Sequence, residues 1–233
     1  MVDILFPRCC IKCGKEGSFV CDSCKKSLEY LSFQVCPVCE KTITLSGEQC
    51  LKCRQTHTVE LDRLIAAGSY SNRFLARLIH TYKYKFVEEL SEDLGDFMAN
   101  TLKKWKTPTP DIIIPVPLHK RRLKWRGFNQ SLLLAKYISE NLTPGIEIPV
   151  DNETLERRRH TMPQMEMKEY GSRKQNMQNA FAVKPSDVEF RNKNILLVDD
   201  ICTTGATLFE CARTISTLRP RSITAIVLAR QDM

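Results

Sequence analysis

The stretch Ile195-Leu-Leu-Val-Asp-Asp-Ile-Cys-Thr-Thr-Gly-Ala-Thr207 places two adjacent acids, then a run of small hydroxylated residues, directly after four apolar ones. Each part has a chemical use. Asp199 and Asp200 can accept hydrogen bonds from the vicinal hydroxyls of a sugar. Thr203, Thr204, Gly205, Ala206 and Thr207 can present consecutive N–H groups and hydroxyls at a helix N-terminus, which suits a phosphate monoester. Gly205 permits the close approach. The four apolar residues in front read as a buried strand, and open α/β sheets take their ligands at the C-terminal ends of such strands. A solvated acidic turn with an ordinary helix cap is the bland alternative. The strand, the acid pair and T-T-G-x-T in register count against it. Walker-type nucleotide binding is disfavoured, because no G-x-x-x-x-G-K-[ST] occurs.

A second candidate follows an apolar run: Pro115-Val-Pro-Leu-His-Lys-Arg-Arg122, then Arg126-Gly-Phe-Asn-Gln130. Lys120, Arg121 and Arg122 supply cations suited to a polyphosphate. A basic solvated loop competes with this reading most strongly at Lys124. His119 can either touch the anion or cap a turn, with even weight. Further cations, Arg157, Arg158, Arg159, Arg173 and Lys174, lie in the polar stretch 151–180.

Nine of the eleven cysteines fall within residues 9–53, and eight form C-x-x-C pairs: Cys10/Cys13, Cys21/Cys24, Cys36/Cys39 and Cys50/Cys53. A C-x-x-C turn lets two thiolates bite one ion, and two turns complete a tetrahedral shell. Eight ligands imply two zinc ions. Disulfides or redox dithiols are the minority alternative for an intracellular chain. Cys9 is a spare or an alternative bite with Cys13. Sequence order pairs the first two turns and the last two, although interleaving is open. Both ions read as structural, since four thiolates close each shell and His57 is the only nearby imidazole. The segment has few hydrophobes, so metal binding, about 10 to 16 kcal/mol in comparable peptides, should dominate its folding.

The elements that must position these groups read as α/β after Cys53. Apolar residues from Leu75 to Leu102 recur at helical spacing, giving one or two helices between Arg73 and Trp105. Pro108 and Pro110 stop that run, and Asp111 to Pro117 reads as a short buried strand. A helix from about Asn129 to Asn141 follows. Residues 151–180 read as a long mobile loop, or a loop leading into a short helix. Strand Asn194–Asp199, helix Gly205–Leu218 and strand Ser222–Ala229 make a βαβ unit, hence a parallel sheet.

The run from Ile195 to Thr207 resembles the phosphoribosyl pyrophosphate (PRPP) signature of type I phosphoribosyltransferases at all thirteen positions. Pro-Val-Pro, Arg126-Gly-Phe-Asn-Gln130, Arg173, Asn176, Ala180-Phe181 and the cysteine pairs in front extend the likeness. In combination they are similar to the ComF family of late competence proteins over nearly the whole chain. The resemblance implies an α/β fold, a type I phosphoribosyltransferase-like parallel sheet flanked by helices, with a small N-terminal Cys-rich double zinc ribbon. The expected domains are 1–58 and 59–233. It implies ribose on Asp199 and Asp200, the 5′-phosphate on residues 203–207, and pyrophosphate on a loop of Pro117, Leu118, His119, Lys120, Arg121 and Arg122. Mg²⁺ would come with PRPP. If catalysis occurs, a nitrogen nucleophile displaces pyrophosphate from C1 while the 151–180 loop excludes water. Arg157 to Arg159 or Arg173 would then neutralise the leaving group. The chain ends just past its last expected strand, so no C-terminal base-binding hood is expected; an acceptor would be small, held by helices within 61–106, or absent.

The resemblance also links the chain to uptake of transforming DNA and to the competence machinery. A competing reading is therefore a non-catalytic single-stranded DNA adaptor. Arg126, Arg157 and Arg173 would serve as phosphate contacts, and Tyr82, Tyr84, Phe86, Trp125 or Phe128 would stack bases. The interleaved His80-Thr-Tyr-Lys-Tyr-Lys-Phe86 is more often a helix face on a core. Formal charge is +8, which favours polyanions. Residues 1–60 hold eight basic and seven acidic side chains, so a DNA surface belongs mainly to the second domain. Hydrophobic residues at 42% and charged residues at 27% exclude a fibrous or wholly disordered chain. No apolar run reaches the roughly 20 residues of a membrane helix. The start, Met1-Val-Asp-Ile-Leu-Phe-Pro-Arg8, lacks a basic leader, so a cytoplasmic location is expected. Cys202 has no visible activating base and reads as a small packing residue, as does Cys211.

Overall fold

Four runs of buried apolar residues pair into one parallel sheet in the computed structural model, which describes residues 8–57, 59–85, 87–159 and 179–231. The strands are β3 (Arg63–Ser69), β4 (Ile112–Pro115), β7 (Asn194–Cys202) and β8 (Ser222–Arg230), in the order β3-β8-β7-β4. Alternation along each strand divides the core between two faces. Ile65, Ile113, Leu196, Val198 and Ile226 meet helices α3 (Arg73–Tyr84), α4 (Leu90–Lys104) and α6 (Gln130–Asn141). Leu64, Ile114, Leu197 and Val227 join the opposite cluster with α7 (Ala206–Ser216). Strands covered on both sides are what a parallel sheet with crossover helices requires.

Helix starts follow local chemistry. The Asn72 carboxamide accepts from the amides of Phe74 and Leu75, both at 3.1 Å, and Asn129 accepts from Ser131 N at 3.2 Å. Gly95 lies inside α4 because a Cβ there would meet the Tyr137 ring at 2.6 Å, so its absence lets α4 and α6 approach closely.

The cysteine-rich segment contributes α1 (Asp22–Lys25), the antiparallel pair β1 (Gln34–Val35) and β2 (Ile43–Thr44), and α2 (Leu51–Thr56). It lies against the edge strand β3. The Gln34 carboxamide donates to Ala66 O at 2.9 Å and accepts from Ala66 N at 3.1 Å. Leu64 N donates to Gly47 O at 2.9 Å, and a Cβ on Gly47 would lie 2.2 Å from Leu64 O. Lys25 pairs with Asp93 and Asp96 on α4, at 3.3 and 3.4 Å. An edge covered in this way is not open to foreign strands.

The helices expected between Arg73 and Trp105 form, while the strand at residues 63–69 is not anticipated, because Leu64-Ile-Ala-Ala-Gly68 lacks the β-branched density that usually betrays a buried strand. Two expectations are corrected. The stretch 151–180 is not a loop throughout: β5 (Leu155–Arg157) pairs antiparallel with β6 (Phe181–Val183) at its base. Residues 120–126 form the helix α5 (Lys120–Arg126) instead of continuing a loop.

Candidate functional site

The eight C-x-x-C sulfurs gather into two groups, Cys10/Cys13/Cys21/Cys24 and Cys36/Cys39/Cys50/Cys53, each with its ligand atoms within 4.8 Å of one another. The sequential pairing therefore holds, and Cys9 and His57 belong to neither group. Cys13 and Cys21 sulfurs are 3.6 Å apart, and those of Cys39 and Cys50 4.0 Å. A tetrahedral shell of ~2.3 Å Zn–S bonds separates its sulfurs by about 3.8 Å, so both groups fit zinc ribbons. The local dipoles agree. The Ser23 hydroxyl and Cys24 amide pull the Cys21 thiol down to about 6, as the Thr42 hydroxyl and Lys41 amide do for Cys39. Burial, then neighbouring sulfurs, push Cys24 and Cys53 up to about 12. A divalent cation is what would let all four sulfurs of a group ionise together.

At the other site, β7 delivers Asp199 and Asp200 to its C-terminal end. Asp199 Oδ1 accepts from the Ser131 hydroxyl at 3.1 Å and from the Asp200 amide at 2.9 Å. Burial, then the neighbouring Asp200 charge, raise its carboxyl to about 7, against the opposing pull of Lys83 and Ser131. Asp200 is buried and forms an ion pair with Lys83 of α3 at 2.7 Å. Ser131 is aimed by the cap that precedes it: Asn129 Nδ2 donates to Val116 O at 3.2 Å, which ties the start of α6 to the end of β4.

Beyond the diacid, Gly205 takes φ +69 and serves as N-cap of α7, with its Cβ direction closed by the Phe209 ring at 2.8 Å. The Gly205 amide faces the Cys202 sulfur, and the Ala206 amide makes a long 3.5 Å bond to Thr204 Oγ1. Thr204 and Ala206 are buried, while Thr203 and Thr207 are partly exposed. The expected nest is thus folded partly on itself, with two of its amides directed inward.

The basic residues divide. Pro117, Leu118 and His119 form the turn after β4, and His119 Nδ1 caps α5 by accepting from Arg121 N at 3.2 Å. Lys120, Arg121 and Arg122 therefore sit on the first turn of α5. Arg157, expected in a mobile loop, lies instead on β5, over the Phe181 ring at 5.5 Å. Burial, then the charge of Arg122, make its guanidinium less basic, while Asp199 acts in the opposite sense. Arg157 therefore lies within electrostatic reach of both Arg122 and Asp199. Arg126 donates to Gln130 Oε1 at 3.1 Å and lies over the Tyr84 ring at 5.6 Å. Arg173 and Phe86 lie outside the described residues.

Of the proposed base-stacking aromatics, Tyr82 is corrected: it is fully buried and its hydroxyl donates to Gln130 O at 2.9 Å. Phe128 packs beside it at 5.8 Å between ring centroids. Tyr84 and Trp125 are exposed, with centroids 6.2 Å apart. Cys202 and Cys211 are buried, as expected of packing residues, and burial first of all raises both thiols, Cys202 to about 12. Sequence reasoning does not single out Lys83 or Ser131 as site residues. Lys83 is hidden by its place in an ordinary amphipathic helix, and Ser131 by its place two residues beyond Asn129 in a helix start that no motif marks.

The Phosphoribosyl transferase domain family matches residues 129–232. Competence protein F of Haemophilus influenzae is 30% identical over 95% of this chain and 96% of its own length. The DNA utilization protein YhgH of Escherichia coli K12 is 30% identical over 83% of this chain and 82% of its own, and competence protein ComFC of Bacillus subtilis 26% over 85% and 78%. Among the described residues no helix is long and apolar enough to cross a membrane. Similarity at this level over almost the full length, with two four-cysteine groups ahead of a parallel sheet and a phosphoribosyltransferase-type domain, places the chain in the ComF family.

Proposed function

We propose that the protein binds PRPP, or a closely related phosphorylated ribose, in a cytoplasmic step of natural competence. The observation that carries this is the pairing of Asp199 and Asp200 at the end of β7 with the left-handed Gly205 that opens α7, in a region where the charges of Asp199 and Arg122 are both felt at Arg157 of β5. Asp199 and Asp200 hold the ribose hydroxyls, and residues 203–207 take the 5′-phosphate once the inward Ala206 amide releases Thr204. Pro117 to Arg122 and Arg157 face the pyrophosphate. The carboxylate pair also suits the hard Mg²⁺ ion that accompanies PRPP, which would neutralise leaving-group charge. If turnover occurs, the C1–O bond to pyrophosphate breaks, pyrophosphate leaves with the electron pair, and a nitrogen nucleophile forms the new C1–N bond and loses its proton. The chain's own work is positioning and charge stabilisation. Two zinc ions fill the four-cysteine groups as structural elements, with a domain boundary near residue 58.

Calorimetry tests this directly. Mg²⁺ and PRPP should give a saturable heat with the zinc-loaded protein and little with Asp200→Asn. Equal heats from both proteins contradict the assignment.

A second reading is favoured by one cluster. Tyr84 stands between His80, Trp125 and Arg126, an aromatic and cationic patch with Trp125 61% exposed. Such a patch suits bases and backbone of single-stranded DNA. Oligonucleotide binding that weakens steeply with salt, and again with Trp125→Ala, supports an adaptor role; salt-independent binding opposes it.

A further inference from the structure

The position after the first C-x-x-C of each ribbon is left-handed: Gly14 at φ +77 in one, Glu40 at φ +57 in the other. The two turns are otherwise the same. Gly14 N donates to Cys10 O at 2.8 Å, and Glu40 N to Cys36 O at 2.9 Å. Glycine is the residue this backbone favours, so glutamate in the second ribbon is a departure that its side chain must explain. The explanation lies across the molecule. The Glu40 carboxylate pairs with the Arg230 guanidinium, with side chains only 5% and 13% exposed. Arg230 is the last residue of β8 and is the register partner of Cys202 at the end of β7. Its neighbour Gln231 donates to Cys202 O at 2.9 Å, and the charges of Arg230 and Glu40 both act on the Cys202 sulfur. Cys202 directly precedes Thr203, where the phosphate loop begins, and its sulfur faces the Gly205 amide.

We infer that Glu40 and Arg230 are positioning residues for the phosphate loop, and that the second cysteine cluster anchors them through the Cys36–Glu40 turn. The inference rests on the phosphate-site reading above. A metal ion in the second cluster fixes that turn and thereby the direction of the Glu40 carboxylate. The carboxylate holds Arg230 against the strand end from which the loop springs. The corresponding turn of the first cluster carries Gly14, which has no side chain to make such an ion pair, and that cluster's segment instead packs its buried cysteines into the apolar cluster and meets α4 through Lys25. Linkage is reciprocal, so a ligand on the loop must tighten the metal in the second cluster.

The test uses full-length protein with both zinc ions bound and ribose 5-phosphate as the probe. Affinity is read by calorimetry, and zinc transfer to a chromogenic chelator is followed with and without saturating probe. Ribose 5-phosphate should slow release of one of the two zinc ions by about fivefold or more and leave the other unchanged. Glu40→Gln should retain both ions, bind ribose 5-phosphate about fivefold more weakly or worse, and lose the ligand effect on release. Lys25→Met, which disturbs only the first ribbon's attachment, should preserve that effect. Probe binding to wild type with both release rates unaltered, or undiminished affinity in Glu40→Gln, overturns the inference while leaving the phosphate site standing. Absence of any binding to wild type overturns both.

Discussion

The cysteine-rich segment and the parallel sheet reach order by opposite routes. In the sheet, strands buried on both faces and the helices packed on them supply the apolar contacts, so polar residues at the strand ends are left for chemistry. In the cysteine-rich segment Leu45, Phe33 and Ile43 are exposed, and apart from Val20 and Leu28, which join the sheet's apolar cluster, the buried apolar side chains are cysteines of the two clusters. One region keeps polar residues at its strand ends; the other gathers eight thiols into two groups of the size that holds a metal ion. They are nevertheless joined, by backbone bonds along β3 and by the Glu40–Arg230 pair.

The comparison breaks most visibly on chelation. Removing both metal ions should cost the cysteine-rich segment about 10 kcal/mol per ion and erase its amide protection from hydrogen exchange, while residues 194–229 stay protected. Uniform loss of protection would show that the sheet depends on metal as well. Next in size is Lys83→Met, which leaves the buried Asp200 carboxylate without its ion-pair partner and should destabilise the chain by about 3 kcal/mol in denaturant titrations. Gly47→Ala should cost about 2 to 3 kcal/mol, because the new Cβ meets Leu64 O at 2.2 Å on a backbone of φ +74. That loss would show how closely the two regions are seated.

Asp199→Asn should stabilise instead. The folded carboxyl is raised from 3.8 to about 7, so the folded state binds its proton more tightly than the unfolded state does. The associated stability is fully present below pH 3.8 and is lost as pH rises through about 7. Asparagine mimics the protonated form at every pH. The variant should gain about 1 to 2 kcal/mol at pH 8, show a flatter stability profile between those limits, and lose ribose recognition. Smallest is Trp125→Ala, expected within about 0.5 kcal/mol of wild type in stability because the ring is exposed.

Much of this is legible in the sequence because the signals are local. The C-x-x-C spacings identify the clusters, and the apolar run before Asp199 identifies β7 and its diacid. Helix α6 agrees with the helix expected from about Asn129 to Asn141, although its Asn129 cap is seen only in the structure. What escapes depends on contacts across the chain. β3 is hidden because alanine and glycine fill a strand sandwiched between close-packed layers. β5 and β6 are hidden because three-residue strands carry too little periodicity. Lys83 and Glu40 lie far in sequence from Asp200 and Arg230, and no spacing rule joins such pairs.

Whether the Asp199–Asp200 pair and the 203–207 loop cradle a phosphorylated ribose is decided by a crystal structure of the zinc-loaded protein with Mg²⁺ and PRPP. Ribose hydroxyls should lie within hydrogen-bond distance of Asp199 and Asp200, and the 5′-phosphate on the amides and hydroxyls of residues 203–207. Ligand bound elsewhere, or a diacid still engaged only with Ser131 and Lys83 at saturating PRPP, would contradict it.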